Sequence, residues 1–250
     1  MIQEIFAQGD SFVHRSRPAL RILLATGYSF VLALMHDLAA LGVGLFFSGV
    51  LAAAAKLPIK PLATRLAAAI GFLALVWVLL PLTYGGTPMG FIGPLTISKP
   101  GALLCLQITI KSMAILIAFT ALVATMQTAT MGHTLHQLRV PGKLVQLLLL
   151  AYRYIFVIEQ EYQRLYRAAK MRNFTPASNL HTYRTYAYLV GMLFVRASER
   201  ARRVHLAMKC RGFTGRFHSL AHYAPTRWNA ILVTVVCCMS LILIAMEISG

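Results

Sequence analysis

The sequence predicts an all-α integral membrane protein with about five transmembrane helices, joined to two long basic helices on the cytoplasmic side. Three observations point there. Hydrophobic residues fill 58% of the 250 positions and charged residues only 12%, about half of the roughly 25% usual in soluble domains. Mean hydropathy is +0.67, and several apolar runs approach the about 20 residues needed to cross a bilayer. Lys and Arg total 24 against 7 Asp and Glu, a net charge of +17, so the polar surface must face anionic lipid, nucleic acid or an acidic protein.

Taken in order, the N-terminal string MIQEIFAQGDSFVHRSRP places acids before its basic residues and lacks a short apolar core ahead of a small-residue cleavage site. A removable signal peptide is therefore not expected. A first apolar run, 20–34, passes through the polar break His36-Asp37 into a second, 38–57, and the two read as a helical hairpin. Gly42, Gly44, Gly49 and the alanines at 52–55 would let a neighbouring helix approach closely in lipid. A third span, 62–82, is expected to end at Pro81, followed by TYGGTPMGFIGPLTISKPG as a non-helical loop. A fourth covers about 102–126 with Lys111 inside it, and a last one covers 228–248 after Pro225. This divides the chain into four N-terminal spans (1–126), a basic region (127–225) and a C-terminal span (226–250).

The basic region holds 15 of the 24 Lys and Arg. Its apolar stretches, 144–158 and 186–195, are interrupted by Arg153 or too short to span. Each leads into charged sequence without a Pro or Gly break, which predicts two long helices, roughly 142–172 and 179–210, lying along or just under the membrane surface. The positive-inside rule then puts the N-terminus, Lys56, Lys60, Arg65 and the whole basic region in the cytoplasm, leaving only Lys99 outside.

The four cysteines, Cys105, Cys210, Cys237 and Cys238, have no disulfide-framework or zinc-type spacing. His133 with His136, and His218 with His222, are spaced to share a helix face, but no carboxylate or thiolate accompanies either pair, so no metal site is expected. His36-Asp37 sits better for an arriving ion, yet an Asp beside a turn commonly caps a helix. Lys111 is costly in lipid, by about 2.5 kcal/mol or more; it either snorkels, finds a partner in the bundle or meets another subunit. Glu199 and Arg203 are four apart and can pair, while Arg196, Arg200 and Arg203 share a face that suits solvent or lipid headgroups as well as a partner.

The two basic helices end alike. Ala168-Ala169-Lys170-Met171-Arg172-Asn173-Phe174 and Ala207-Met208-Lys209-Cys210-Arg211-Gly212-Phe213 share the frame Ala-x-Lys-x-Arg-(Asn/Gly)-Phe, 39 residues apart. Asn and Gly tolerate the left-handed conformation at a helix C-terminus, and a cation there complements the helix dipole. Two readings follow: ordinary helix ends, or arginines held at sharp ends beside small alanines and offered to an acidic groove, which their planar fork fits better than Lys would. A phosphate-cradling loop is absent, the nearest string being Pro141-Gly142-Lys143-Leu144, which lacks the first Gly and the magnesium-binding hydroxyl.

These residues resemble the transmembrane T components of energy-coupling factor transporters, in particular the CbiQ type of cobalt and nickel uptake systems. In that family two short Arg-centred motifs, Ala-Arg-Gly and relatives, end two coupling helices. The matching positions are Met171-Arg172-Asn173 and Cys210-Arg211-Gly212, supported by Ala168, Lys170, Ala207 and Lys209; Met and Asn in the first depart from the commonest pattern but spare the Arg. An N-terminal Asp-Ser followed by His-Arg, Pro18 and Arg21, and the single closing span, extend the resemblance over most of the chain. It implies a non-catalytic subunit binding no cofactor, with ATP and Mg used by two separate ATP-binding-cassette subunits, a CbiM-type S component for cobalt or nickel, and a bacterial inner-membrane location. A vitamin-importing relative is the nearest alternative. A membrane-embedded enzyme for lipid or phosphate substrates is disfavoured by the scarcity of acids, only Glu159, Glu161 and Glu199 lying in the basic region. A nucleic-acid anchor is disfavoured by the apolar faces of the same helices.

Overall fold

The computed structural model describes residues 16–83, 88–92, 95–215 and 227–249. In chain order they form α1 (Pro18–Leu34), α2 (Leu38–Ala54), α3 (Ile59–Thr83), β1 (Pro88–Ile92), β2 (Leu95–Ser98), α4 (Lys99–Leu122), α5 (Thr128–Gln137), α6 (Gly142–Met171), α7 (Leu180–Cys210) and α8 (Arg227–Ser249). The chain divides into two compact units, one of residues 2–131 and 222–250, the other of residues 132–221.

All five apolar runs are helices of the first unit. Three are long and apolar enough to cross a membrane, Ile59–Pro81, Lys99–Leu122 and Asn229–Ile248, while the apolar α1 and α2 have 17 residues each, about 26 Å against a hydrocarbon core of about 30 Å. α4 packs on α1, α2 and α3, and α8 packs on α1 and α2. Because lipid is as apolar as leucine, packing and hydrogen bonds rather than the hydrophobic effect must join such helices. Gly44 serves both: the Tyr28 hydroxyl donates to its carbonyl at 2.8 Å, and the buried Leu32 side chain occupies the space that a Cβ would need. Gly42 and Gly49 have open space where a Cβ would stand, so close approach is confined to one of the three glycines.

The bundle is fastened at both ends of α1. At its start Arg21, 2% exposed, donates Nε to the Leu122 carbonyl at 2.9 Å and its guanidinium to Thr125 Oγ1. It thereby satisfies the last carbonyl of α4, which has no helical partner. At the other end Asp37 caps α2 by accepting from the Ala40 N–H at 3.1 Å, while Glu247 of α8 accepts from the N–H groups of His36 and Asp37 at 2.9 and 3.1 Å. Lys111 Nζ donates to the Ala33 carbonyl in the last turn of α1 at 3.1 Å, a favourable place for a cation.

The third span ends at Pro81 as expected, while the helix continues two residues further to Thr83, where the missing donor of Pro81 removes a single backbone bond. The structure corrects two other expectations. The expected loop contains an antiparallel hairpin, Pro88 facing Ser98 and Ile92 facing Leu95 with a bulge between Pro88 and Gly90; its glycines and prolines mask short β-branched segments. α5 stands where no third helix was expected in the basic region, and the His133 and His136 side chains on it lie outside the described residues, as do His218 and His222.

Candidate functional site

In the second unit α6 and α7 run antiparallel, as three contacts along their length show: Phe174 against Tyr186 at 5.6 Å, Arg196 on Glu161, and the Gln146 amide on the Gly215 carbonyl. The turn between them is set by Asn179, whose side chain accepts from the Thr182 N–H at 2.8 Å and so caps α7.

Both helices stop by the same backbone device. At the end of α6 the Asn173 N–H donates to Lys170 O at 3.0 Å and the Phe174 N–H to Ala169 O at 3.2 Å; at the end of α7 the Gly212 N–H donates to Lys209 O and the Phe213 N–H to Met208 O, each at 3.0 Å. Asn173 and Gly212 hold the left-handed conformation, φ 61° and 76°. This is the Schellman motif, twice, and it leaves Arg172 and Arg211 as the C-cap residues. Both arginines are exposed, and so are Ala168 and Ala207 one turn earlier, so a partner wall could come close to each guanidinium. Met171 is 90% exposed, and Cys210 beside Arg211 is a free, exposed thiol. Lys170 bends back over the Tyr166 ring at 5.1 Å; Lys209 is exposed.

Antiparallel pairing places the two tips at opposite ends of the α6–α7 pair. Phe174 packs near the start of α7 and Arg211 ends that helix, so about 25 residues at 1.5 Å, roughly 40 Å, part the arginines. Each is presented singly, with the last carbonyls of its helix behind it.

Of the other residues singled out, Asp37 is a helix cap, and among the described residues no group of three His, Cys, Asp or Glu could hold a metal ion. Glu199 and Arg203 face each other at 4.0 Å with both side chains exposed. Sequence reasoning missed Glu161, which accepts from Arg196 across the helix pair and lies 3.4 Å from Arg164. The Arg196 hydrogen bond holds its carboxyl below the usual range, despite partial desolvation.

Apolar helices long enough to span together with two arginine-tipped basic helices define a polytopic membrane protein, and comparison with known proteins gives the class: a transmembrane component of a transporter. Residues 9–223 match the family described as the cobalt transport protein CbiQ, and the chain belongs to that family. An energy-coupling factor transporter transmembrane protein EcfT of Leuconostoc gelidum subsp. gasicomitatum is 26% identical over 83% of this chain and 82% of its own length. The cobalt transport protein CbiQ of Rhodobacter capsulatus is 29% identical over 40% of this chain and 41% of its own. An uncharacterized protein of Methanocaldococcus jannaschii is 33% identical over 44% of this chain, which spans 40% of that protein.

Proposed function

We propose that this chain is the T component of an energy-coupling factor type ABC importer, a non-catalytic scaffold in a bacterial inner membrane with its N-terminus in the cytoplasm. Two ATP-binding-cassette subunits dock at Arg172 and Arg211 and use ATP and Mg within their own chains; a CbiM-type S component carries the cargo, cobalt or nickel. The observation that carries the reading is the pair of identical helix ends, each leaving an exposed Arg beside a small Ala, in a member of the CbiQ family. A lone guanidinium backed by the carbonyls of a helix end suits an acidic groove on a folded partner. ATP-driven movement of the grooves would be passed along α6 and α7 as a choice between two arrangements of the pair, the condition for coupling to be more than contiguity. Membrane lipid surrounds the spans, and nucleic acid has no part.

The cargo rests on the family's description, and the EcfT relatives' names specify none, which keeps a vitamin importer as the second reading. The test is co-purification with the ATPase pair from cells expressing both, repeated with Arg172→Glu and Arg211→Glu. Each single variant is expected to lose one ATPase and the double variant both, with the ATP hydrolysis that depends on them; intact association and hydrolysis in the double variant would end the assignment.

A further inference from the structure

The α6–α7 pair is tied at two levels and open between them. Near the start of α6 the Gln146 amide donates to the Gly215 carbonyl beyond the end of α7. About four turns further along α6, Glu161 accepts from Arg196. Between the two ties the helices part around a groove of about 400 Å³, walled by Leu150, Val157, Val204 and Met208. Apolar side chains gain from close packing, and an apolar gap of this size forfeits that gain. Because polar ties hold the helices at both levels, the gap is a standing feature of the pair and calls for something to fill it.

The groove is polarised. Glu161, Arg196 and Arg200 stand at one end, Leu147, Leu150 and Met208 at the other, with His205 along the α7 side between them. Charge at the first end does not balance. Glu161 is taken by Arg196 and lies 3.4 Å from Arg164, while Arg200 acts on it only at longer range. Arg200 is half-buried and makes no hydrogen bond among the described residues, which leaves its five N–H donors without an acceptor. An apolar slot with unpaired cations at one end is complementary to an anionic amphiphile.

We propose that this groove is a lipid site: it takes one acyl chain of an anionic phospholipid, whose phosphate pairs with Arg200 and with the donors of Arg196 that Glu161 leaves unused. Size favours a lipid chain over a partner helix. A helix with its side chains is about 10–12 Å across, and this groove lies toward the small end of the roughly 300–1,000 Å³ range of ligand sites. Charge favours an anionic headgroup over a zwitterionic one. The site rests on the reading that α6 and α7 lie along or just under the membrane surface; it does not depend on what docks at Arg172 and Arg211.

The test uses the full chain in vesicles containing phosphatidylglycerol with a photoactivatable group at the end of one acyl chain, followed by mapping of the labelled peptides. Label should appear on the groove walls around Leu150 and Met208, be displaced by unlabelled phosphatidylglycerol, and persist with phosphatidylcholine and with inorganic phosphate. Arg200→Gln should lower it several-fold and Arg200→Lys much less. Ala201→Trp, whose ring would fill the groove, should abolish it. Label on α3 and α8 should stay unchanged in all three variants, which shows that they fold. Groove label that is absent, that phosphatidylcholine displaces equally, or that Arg200→Gln leaves intact overturns the proposal. Displacement by inorganic phosphate would reduce the site to a free-anion site, and loss of label when the ATPases and S component are co-reconstituted would give the groove to protein; either result also overturns it. The labelling of the chain alone needs no partner, so its failure leaves the docking role of Arg172 and Arg211 standing, and failure of the arginine-tip variants leaves the lipid site standing.

Discussion

Asn173 and Gly212, 39 residues apart, occupy the same place in two different helices: each is the left-handed residue that turns the chain out of a helix immediately after an exposed arginine. The equivalence extends to the hydrogen bonds on either side, so the direction in which each arginine leaves its helix is set by backbone geometry. Asn reaches that geometry at a modest cost and Gly at almost none.

A first prediction follows from this difference. Gly212 has no neighbour where a Cβ would stand, so Gly212→Ala is strained only by its φ of 76°, at a cost of about 1 kcal/mol. Asn173→Gly should be neutral or slightly stabilising. Melting temperatures of the purified protein check both, and a Gly212→Ala protein that melts no lower than the original would contradict the argument.

Gly44 should be intolerant where Gly42 is not. A Cβ on Gly44 would stand 2.5 Å from Leu32 Cδ2, in the most buried part of the bundle, whereas one on Gly42 meets nothing. Gly44→Val should cost about 1–3 kcal/mol through overpacking, and Gly42→Ala close to nothing. Thermal melting and the yield of monodisperse protein measure the contrast.

Arg21 should behave as a structural residue, although in the sequence it is one of several basic residues ahead of the first apolar run. Arg21→Ala removes the donor to Leu122 O and leaves that carbonyl at the buried end of α4 unsatisfied, worth about 1–3 kcal/mol. The loss should appear as a lower melting temperature with unchanged membrane orientation, whereas a surface arginine such as Arg202 should tolerate the same change.

What the sequence made legible, and what it hid, divides by the distance over which each signal acts. The five apolar helices and the two helix ends are local patterns, carried by hydrophobic runs and by the Lys-x-Arg-(Asn/Gly)-Phe string. The Glu199–Arg203 pair was visible because four residues make a turn. Glu161–Arg196 was not, because 35 residues and a chain reversal separate its partners. Arg21 looked like one more charge before a span because its acceptors lie about a hundred residues away. The hairpin between α3 and α4 escaped since its Gly and Pro content reads as loop, while its cross-strand pairing has no short-range signature.

The depressed titration of Glu161 sets a pH dependence with a definite sign. Its folded value lies below the ordinary carboxylate value of about 4.3, so its contribution to the α6–α7 contact is fully present above that value and is lost as pH falls through the folded value. The Glu161 contribution to thermal stability should therefore hold constant from neutral pH down to about 4.3 and fade only below it. In Glu161→Gln that component of the acid dependence should vanish, which melting temperatures measured across the acid range check.

The docking role of the two arginines is tested most directly by counting ATPase subunits on the intact complex by native mass spectrometry. The original chain should carry two, Arg172→Glu and Arg211→Glu one each, and the double variant none, with Arg→Lys variants weakened by about 1 kcal/mol per site through loss of the planar fork. A double variant that still carries two ATPases would contradict the account at its centre.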